Sequence, residues 1–235
     1  MKVVVVTGTS RRLGKFLVEH FLKMNYQVIS ISRNKEAISQ LHINSHLDHY
    51  QVDGYFPETA KEVAYDILEK YDSIDLIVHN ASKFISDDKD IDNYASNYQE
   101  MINVHMIFPS LLNSILYPAL KEAPEPNIIQ ITDIYVDNPN ENFSLYCSTK
   151  SGLESLTKSF AKKFAPHIRV NSIQPGPIKF LSTHNESEKE SVLNEALIKR
   201  EGGFDSILKT INFITENNYI TGSSVKVDGG RSLNR

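Results

Sequence analysis

The chain opens with an apolar run, a turn that contains glycine, and an amphipathic stretch. Val3 to Val6 are four β-branched residues in succession, which is typical of a strand buried on both faces. Gly8 and Gly14 bracket the turn that follows. Apolar positions then recur at helical spacing, at Leu13, Phe16, Leu17, Phe21 and Met24. The pattern predicts a strand, a glycine turn and a helix whose first N–H groups could meet a phosphate.

Short apolar runs alternate with longer stretches of helical periodicity through the rest of the chain. The predicted strands are Val3–Val6, Gln27–Ser32, His49–Val52, Ile74–His79, Asn127–Thr132, His167–Ile173 and a last one that begins at Val225. The longest helical pattern runs from Asp92 to Leu120 and is interrupted by Pro109. The alternation predicts one α/β domain over residues 1–235, with a Rossmann-like, doubly wound parallel β-sheet of about seven strands flanked by helices.

One segment breaks this alternation. Residues 180–203 are polar, with several charges and scattered apolar positions, and they follow a rigid turn that contains Pro175 and Pro177. We predict that this segment is a mobile substrate lid with one or two helices, because lids commonly exclude water from a site. A further helix is predicted from Phe204 to Glu216.

Composition narrows the class of protein. The formal charge is 25 − 29 = −4, which gives no general attraction to nucleic acid or to an anionic membrane. Cys147 is the one cysteine, so an internal disulfide framework is excluded and a reducing compartment is expected. No apolar run could span a bilayer, and the first residues are too few for the core of a signal peptide. We expect a soluble, cytoplasmic protein without a metal site.

The end of the second strand carries the candidates for cofactor choice. In a dinucleotide fold this position meets the adenosine ribose, where an acidic residue would bind the 2′-hydroxyl of NAD. Ser32 and Arg33 stand there instead. A hydroxyl and a cation suit the 2′-phosphate of NADPH, and Arg12 in the glycine turn is a second candidate. The alternative interpretation is that Arg33 is a solvated loop charge.

Polar residues also follow the next two predicted strands. Asp53 is placed to accept a bond from an adenine amino group, or else it caps a turn. Asn80 can bond the backbone at the crevice where strand order reverses. Phe84 lies in a polar loop, and spacing alone favours a loop anchor over a stacking surface for a flat substrate. Asn103 is either structural or part of a proton and water relay.

Tyr146 and Lys150 are the candidates for proton transfer. They lie four residues apart on a predicted helix and so share one face. A neighbouring ammonium favours the phenolate, so we expect Lys150 to lower the pKa of Tyr146. The alternative is an ordinary pair on a helix surface. Asp133 ends the fifth strand facing the same crevice, where it either joins Tyr146 in one donor relay or caps a turn.

These pieces together resemble the short-chain dehydrogenase/reductase family over nearly the whole chain. The motifs that carry the resemblance are Thr7-Gly8-x5-Gly14, Asn80-Ala81, Asn103, Tyr146-x3-Lys150, Asn171-Ser172, Pro175-Gly176 and Gly222-x5-Asp228-Gly229-Gly230. Each is weak alone, but their order and spacing are specific in combination.

Within this family the chain is most similar to the pteridine reductases, and among them to the bacterial dihydromonapterin (dihydrofolate) reductases. The pointers are Arg11-Arg12-Leu13-Gly14, His79-Asn80-Ala81-Ser82 with Phe84, Thr132-Asp133, and the ending Asp228-Gly229-Gly230-Arg231-Ser232-Leu233. Most of the broader family carries Ser at the position of Asp133, and the carboxylate is the pattern of the pteridine branch.

The resemblance implies roles for individual residues. Asp133, Tyr146 and Lys150 would be catalytic. The cofactor-binding residues would be Gly8, Arg11, Arg12, Leu13, Gly14, Ser32, Arg33, Asp53, Asn80, Ala81, Ser82, Tyr146, Lys150, Pro175, Gly176 and Ile178. The substrate would meet Arg12, Ser82, Phe84, Asp133 and Tyr146, with Phe84 stacking a pterin against the nicotinamide, which reverses the preference from spacing alone. The family is usually tetrameric, and Arg235 would be a contact to a neighbouring subunit's site.

The implied activity is NADPH-dependent reduction of a dihydropterin, either 7,8-dihydromonapterin or 7,8-dihydrofolate, to the tetrahydro form. Hydride would go to C6 and a proton to N5. The runner-up is a ketone or 3-oxoacyl reductase of the same family. A third interpretation is an NADPH-binding sensor without catalysis, but a sensor would need neither Tyr146 nor Lys150.

Overall fold

The computed structural model describes residues 1–34, 45–87 and 91–234. Its centre is a seven-stranded sheet in which every neighbouring pair is parallel, in the order β3-β2-β1-β4-β5-β6-β7. The strands are β1 Val3–Thr7, β2 Gln27–Ser32, β3 Leu47–Gln51, β4 Leu76–His79, β5 Asn127–Ile131, β6 Arg169–Pro175 and β7 Ser224–Val227. Strand order reverses between β1 and β4, which confirms the doubly wound sheet and puts a crevice at their carboxyl ends.

Helices cover both faces of this sheet. They are α1 Arg12–Lys23, α2 Pro57–Lys70, α3 Tyr94–Ile102, α4 Phe108–Ile115, α5 Tyr117–Lys121, α6 Ser144–Phe164, α7 Glu186–Asn194 and α8 Phe204–Glu216. A π-helical turn, Asn103–Ile107, joins α3 to α4, and short 3-10 turns lie at Ile91–Asn93, Ile134–Val136 and Arg231–Leu233.

The alternation of side chains along the buried strands makes two apolar cores. Val5, Ile77 and Ile128 face α2, α4 and α6 in one core. Val4 and Val78 point the other way, toward α1 and α8. A strand buried on both faces must be apolar at successive positions, so the valine run at the start of the chain is accounted for by this layering.

Most predicted elements agree with the structure within two residues. The second strand and the helix after the lid match in full, whereas the third strand lies two residues earlier at its start than predicted. The helical pattern from Asp92 to Leu120, predicted to be interrupted at Pro109, is divided into α3, a π turn, α4 and α5. Pro109 has no N–H to donate to the carbonyl of His105, and Phe108 N–H donates to Asn103 O five residues back. The helix therefore widens into a π turn before the proline.

The segment predicted as a lid, residues 180–203, contains one helix, α7, whose first turn is closed by a capping box between Asn185 and Glu188. Among the described residues, no helix is both long and apolar enough to cross a membrane.

Candidate active site

The glycine turn after β1 is a cradle made by close backbone contacts. Gly8 has φ +71° and donates its N–H to Ile31 O at 2.8 Å. A Cβ placed on Gly14 would lie 2.2 Å from Gly8 O, so only glycine fits there. Asn80 closes the cradle from β4 by donating Nδ2 to Thr7 O and Gly8 O, at 3.1 Å each. A tight glycine turn beside the start of α1 fits the pyrophosphate of a dinucleotide.

The Thr7 hydroxyl holds the ends of β1 and β4 together. Its Oγ1 accepts the backbone N–H groups of Asn80 and Ala81, each at 3.0 Å. Asn80 and Ala81 therefore lie at the crevice beside the turn, where sequence reasoning put them.

Arg33 and Asp53 line one cavity of about 210 Å³ at the ends of β2 and β3. Both are exposed to solvent, and Ser82 and Asn103 line the same cavity. Tyr55 lines this cavity and is hydrogen-bonded to Gly8 in the glycine turn. Burial raises the pKa of Tyr55 to about 12, whereas the charge of Arg33 and the hydrogen bond with Gly8 act to lower it. A cation and a carboxylate around one small cavity fit an adenosine with a 2′-phosphate.

Other residues assigned to the cofactor lie differently. Arg12, at φ +53°, donates its guanidinium to Phe180 O at 3.3 Å and to Lys179 O, and so ties α1 to the base of the lid segment. Ser32 is buried and its hydroxyl donates to Asn34 O at 3.3 Å. Arg11 is exposed, and the Leu13 side chain packs against the core. The hydrogen bonds of Arg12 and Ser32 are therefore made to backbone carbonyls of the protein itself, and their assignment to a ligand stays a prediction.

Asp133 and Tyr146 form a hydrogen-bonded pair where β5 meets α6. The phenol donates to Asp133 Oδ2 at 2.8 Å, while Tyr135 N–H donates to Oδ1 at 2.9 Å. Lys150 lies one turn along the same helix face, with Nζ 2.8 Å from Ile131 O. Tyr146 and Lys150 are 5 % and 2 % exposed, so the alternative of a surface helix pair is wrong.

Burial sets the protonation of this group. It raises the pKa of Asp133, and burial with the Asp133 charge raises the pKa of Tyr146 well above its usual value. The expectation that Lys150 lowers the pKa of this phenol is therefore wrong for the structure described. Burial instead lowers the pKa of Lys150 to about 8, against the charge of Asp133. The Tyr146 phenol therefore stays protonated in the free chain and shares its proton with Asp133. The pair thus has a proton that it can deliver to a substrate atom.

An aromatic wall stands beside the pair. Phe84 is 55 % exposed, and its ring lies 4.7 Å edge-to-face from Tyr146 and 4.5 Å from Phe143. Tyr135 stacks on Phe143 at 6.4 Å, and Arg231 lies 5.6 Å over the Tyr135 ring. The loop is anchored through one edge of Phe84 while the rest of the ring remains open, so both interpretations of this residue find support. An exposed aromatic surface next to a proton donor suits a flat heterocycle.

The turn after β6 closes the other side of the crevice. A Cβ on Gly176 would lie 2.7 Å from the Asp228 backbone, and Gly176 N–H donates to Val227 O at 3.0 Å. Ile178 and Pro177 accept backbone bonds from Gly203 and Gly202, at 2.8 and 3.1 Å. Pro175, Gly176 and Ile178 thus lie in a turn that holds both ends of the lid segment. Arg235 lies outside the described residues.

Sequence reasoning missed several buried polar residues. Glu154, one turn beyond Lys150, accepts hydroxyls from Ser172 at 2.8 Å, from Thr132 at 3.2 Å and from Ser224, and so ties α6 to β6, to β7 and to the residue after β5. Arg231 bonds Glu195 at the end of α7. His105 contacts Ser82 and Thr149. The spacing of residues along the sequence does not predict these contacts, because each partner comes from a different part of the chain.

Known proteins resemble this chain along almost all of its length. The short chain dehydrogenase family model matches residues 2–191. Dihydromonapterin reductase of Klebsiella pneumoniae is 31 % identical over 233 residues, which cover 98 % of this chain and 96 % of the relative. Dihydromonapterin reductase of Escherichia coli K12 is 31 % identical over 234 residues, with the same shares covered.

Solved structures agree with the fold. FolM alternative dihydrofolate reductase 1 from Brucella canis, complexed with NADP, superposes with a TM-score of 0.88 at 27 % identity, covering 99 % of this chain and 94 % of that one. Ligand-free aldohexose dehydrogenase from Thermoplasma acidophilum gives a TM-score of 0.86 at 24 % identity, covering 99 % and 94 %. The second likeness bears on the fold alone.

Proposed function

The chain belongs to the short-chain dehydrogenase family of NAD(P)-dependent oxidoreductases, and from that premise we propose that it is an NADPH-dependent reductase of a dihydropterin. The proposed substrate is 7,8-dihydromonapterin, with 7,8-dihydrofolate as a second candidate. The C6=N5 double bond takes a hydride at C6 and a proton at N5, which gives the tetrahydropterin and NADP⁺. Supporting the choice of pterin are the similarity to dihydromonapterin reductases and the likeness to a dihydrofolate reductase.

The observation that carries the proposal is the hydrogen bond of 2.8 Å between Tyr146 and Asp133. Reduction of a ketone calls for a neutral hydroxyl that polarises a carbonyl oxygen. Reduction of an imine calls for a proton delivered to nitrogen, and a carboxyl whose pKa is raised by burial can resupply the phenol. Asp133 and Tyr146 therefore act as one donor, and their titration belongs to the pair.

The cofactor residues divide by chemistry. Gly8 and Gly14 would form the pyrophosphate site, which Asn80 braces through its bonds to the turn, and Arg33 with Asp53 would meet the adenosine end. NADPH supplies the hydride when bound. The proposal for NADPH over NADH is supported by the exposed cation Arg33 at the end of β2 and by the NADP in the Brucella canis structure.

The substrate would lie between the open face of Phe84 and the crevice. Phe84 orients the flat ring by stacking, and Tyr146 passes its proton to N5. Asp133, which accepts the phenol hydroxyl in the free chain, resupplies the phenol in its protonated form. Lys150 keeps a positive charge beside the pair and holds the backbone of Ile131. The segment 180–203 is proposed to close over the substrate and exclude water.

The test is a substrate panel with the purified chain. NADPH oxidation is followed by absorbance with 7,8-dihydromonapterin, 7,8-dihydrofolate, a 3-oxoacyl thioester and a simple ketone, and each is repeated with NADH. We expect turnover of the dihydropterins with NADPH preferred. Turnover of the thioester or ketone without any pterin reduction would reject the proposal in favour of a carbonyl reductase. A protein that binds NADPH and turns over none of these substrates would be a sensor.

We also infer that the chain acts in the cytoplasm as a homotetramer, as the family resemblance implies, or as a dimer. Light scattering of the purified protein measures the oligomeric state. A monomer at working concentration would contradict the inference and would leave Arg235 without a neighbouring site.

A further inference from the structure

We propose that His105 is a positioning residue. It holds the Ser82 hydroxyl beside Tyr146, where this hydroxyl can donate a hydrogen bond to the phenolate that forms when Tyr146 gives up its proton. The inference rests on the proposed role of Tyr146 as the proton donor, and it assigns a role to a buried residue that the donor pair itself does not use. The geometry that carries it is one chain of hydrogen bonds from the loop after β4, through His105, to helix α6.

His105 reaches this place because of the π turn. The turn Asn103–Ile107 precedes Pro109 and carries His105 at its centre. The side chain is 1 % exposed, and its ring lies edge-to-face against Tyr146, with 5.6 Å between centroids and 82° between planes. Single π turns inside helices occur frequently at functional sites.

Hydrogen-bond accounting fixes the tautomer of His105. The backbone N–H of Lys83 can only donate, and it points at Nε2 from 3.2 Å, so Nε2 is an acceptor and the proton is on Nδ1. Nδ1–H then donates to Thr149 Oγ1 at 2.8 Å, and the Thr149 hydroxyl donates to Tyr146 O at 2.9 Å. Burial and the nearby charge of Lys150 hold the pKa of His105 well below its usual value, so the ring is neutral.

The same Nε2 atom accepts a hydrogen bond from the Ser82 hydroxyl. Ser82 Oγ lies 2.9 Å from it and is exposed to the cleft. Tyr146 is the second neighbour of Ser82: a hydrogen bond from the Ser82 hydroxyl to the phenol oxygen favours the phenolate and lowers the phenol pKa, against larger opposing effects. The Ser82 proton therefore has two acceptors: His105 while the phenol keeps its proton, and the phenolate oxygen after that proton has gone to N5. The Ser82 proton stays on Ser82 throughout, and only its direction changes.

Two substitutions separate the two ends of the imidazole. His105→Asn keeps a donor near the position of Nδ1 for Thr149 and removes the acceptor at Nε2. His105→Gln places an amide oxygen near the position of Nε2 and so keeps an acceptor for Ser82. The measurement is the single-turnover rate of NADPH oxidation with 7,8-dihydromonapterin in H₂O and in D₂O, together with the Kd for NADPH.

We expect His105→Asn to slow hydride transfer about tenfold and to raise the solvent isotope effect, because proton delivery becomes a larger part of the barrier. NADPH affinity should not change, and His105→Gln should recover most of the rate. A purely structural role would lower the active fraction and leave the isotope effect unchanged. Equal losses in the Asn and Gln variants with an unchanged isotope effect would overturn the proposal.

A second histidine gives a matched control. His79 is 3 % exposed and bonds Asn113 at 2.8 Å, with no link to the phenol. His79→Asn should lower the Tm and leave the isotope effect as it is. If His105→Asn does not fold, Ser82→Ala carries the test, since Ser82 is exposed: it should raise the isotope effect, and an unchanged value would overturn the proposal.

Failure of the proposed function can be told apart from failure of this inference. If the protein reduces a ketone or a thioester and no pterin, the dihydropterin proposal fails. Tyr146 would still donate a proton there, to oxygen, and the same variants measured on that substrate would still decide the role of His105.

Discussion

The two halves of the sheet's carboxyl edge are built by different means. At the ends of β1, β2 and β3, the backbone forms the cradle and the charged groups, Arg33 and Asp53, stay in solvent. At the ends of β4 and β5, against α6, Tyr146 and Lys150 are removed from water, Asp133 is partly buried, and the three groups touch one another or the backbone. The first half is suited to hold a ligand and the second to move a proton.

Solvent exposure determines how many neighbours a substitution in each half affects. Solvated charges interact weakly with their neighbours because water and salt screen them. Buried charges interact strongly, and the pKa of each depends on the others. Changes in the nucleotide half should therefore alter affinity for one part of one ligand, and changes in the catalytic half should alter several properties together.

The largest effect is expected from Tyr146→Phe. The change removes one proton donor and leaves the ring contacts with Phe84 and His105 in place. Turnover should fall about 10²–10⁴-fold, the range for loss of a general acid, while the Kd for NADPH stays unchanged. Steady-state kinetics and a fluorescence titration measure the two.

Tyr98 supplies the control for that experiment. Tyr98 lies on α3, and its hydroxyl lies 3.1 Å from the hydroxyl of Ser148 on α6, the helix that carries Tyr146. This bond is outside the donor pair. Tyr98→Phe should leave turnover as in the wild type. Wild-type turnover in Tyr146→Phe would remove this residue as the donor and transfer the role to Asp133 alone.

Arg33→Asp tests the solvated half. A hydrogen bond to a charged group contributes about 1.5–3 kcal/mol, so the preference for NADPH over NADH should shift toward NADH about ten- to a hundredfold. The ratio of kcat/KM for the two cofactors measures it, with maximal turnover little changed. Lys61→Glu, an exposed site on α2, makes the same change in net charge and should not move the ratio. An unmoved ratio in Arg33→Asp would assign the 2′-phosphate to Arg12 or elsewhere.

The sequence predicted these two halves unequally. The residues of the nucleotide half could be identified from local sequence. Gly8, Gly14 and the residues after β2 lie within a few positions of the strands that place them, so their spacing was enough to predict where they lie. Tyr146 and Lys150 were also found by spacing, as one helix face. Their link to Asp133 depended on topology and on the family resemblance.

What the sequence could not provide are contacts between distant segments and the effect of burial on charge. His105 meets its partners from the loop after β4 and from α6 only because a π turn displaces it, and periodicity does not distinguish a π turn from a helix. The pKa of Tyr146 was expected in the wrong direction, because the sequence shows a cation nearby and does not show the loss of water.

Asp133→Asn should change the pH dependence of the stability of the catalytic half. Burial raises the pKa of this carboxyl in the folded chain, so between the unfolded value of 3.8 and the folded value the native state holds more protons, and stability falls as pH rises. The amide removes that penalty. The Tm of Asp133→Asn should match the wild type below about pH 4 and exceed it at neutral pH.

The exposed Asp137 offers a comparison for this prediction. It pairs with Lys226 at 2.7 Å in a partly exposed ion pair. Asp137→Asn should change the Tm little across the same pH range. A variant at Asp133 that is less stable than the wild type at neutral pH would mean that the bond to the phenol outweighs the cost of burying the charge.

The smallest effect expected is a limb in the pH profile from Lys150. Burial lowers its pKa to about 8, so the ammonium is half lost at that pH, and kcat/KM, which reports the free enzyme, should fall about twofold there and further above it. Asp133 raises this pKa, so Asp133→Asn should move the limb to lower pH in whatever activity remains. Arg33→Asp should leave the limb in place, because a solvated charge at the other half of the edge is screened from Lys150. A limb that moved equally in both variants would show that the two halves share one electrostatic field, and the division between a solvated binding half and a coupled catalytic half would not hold.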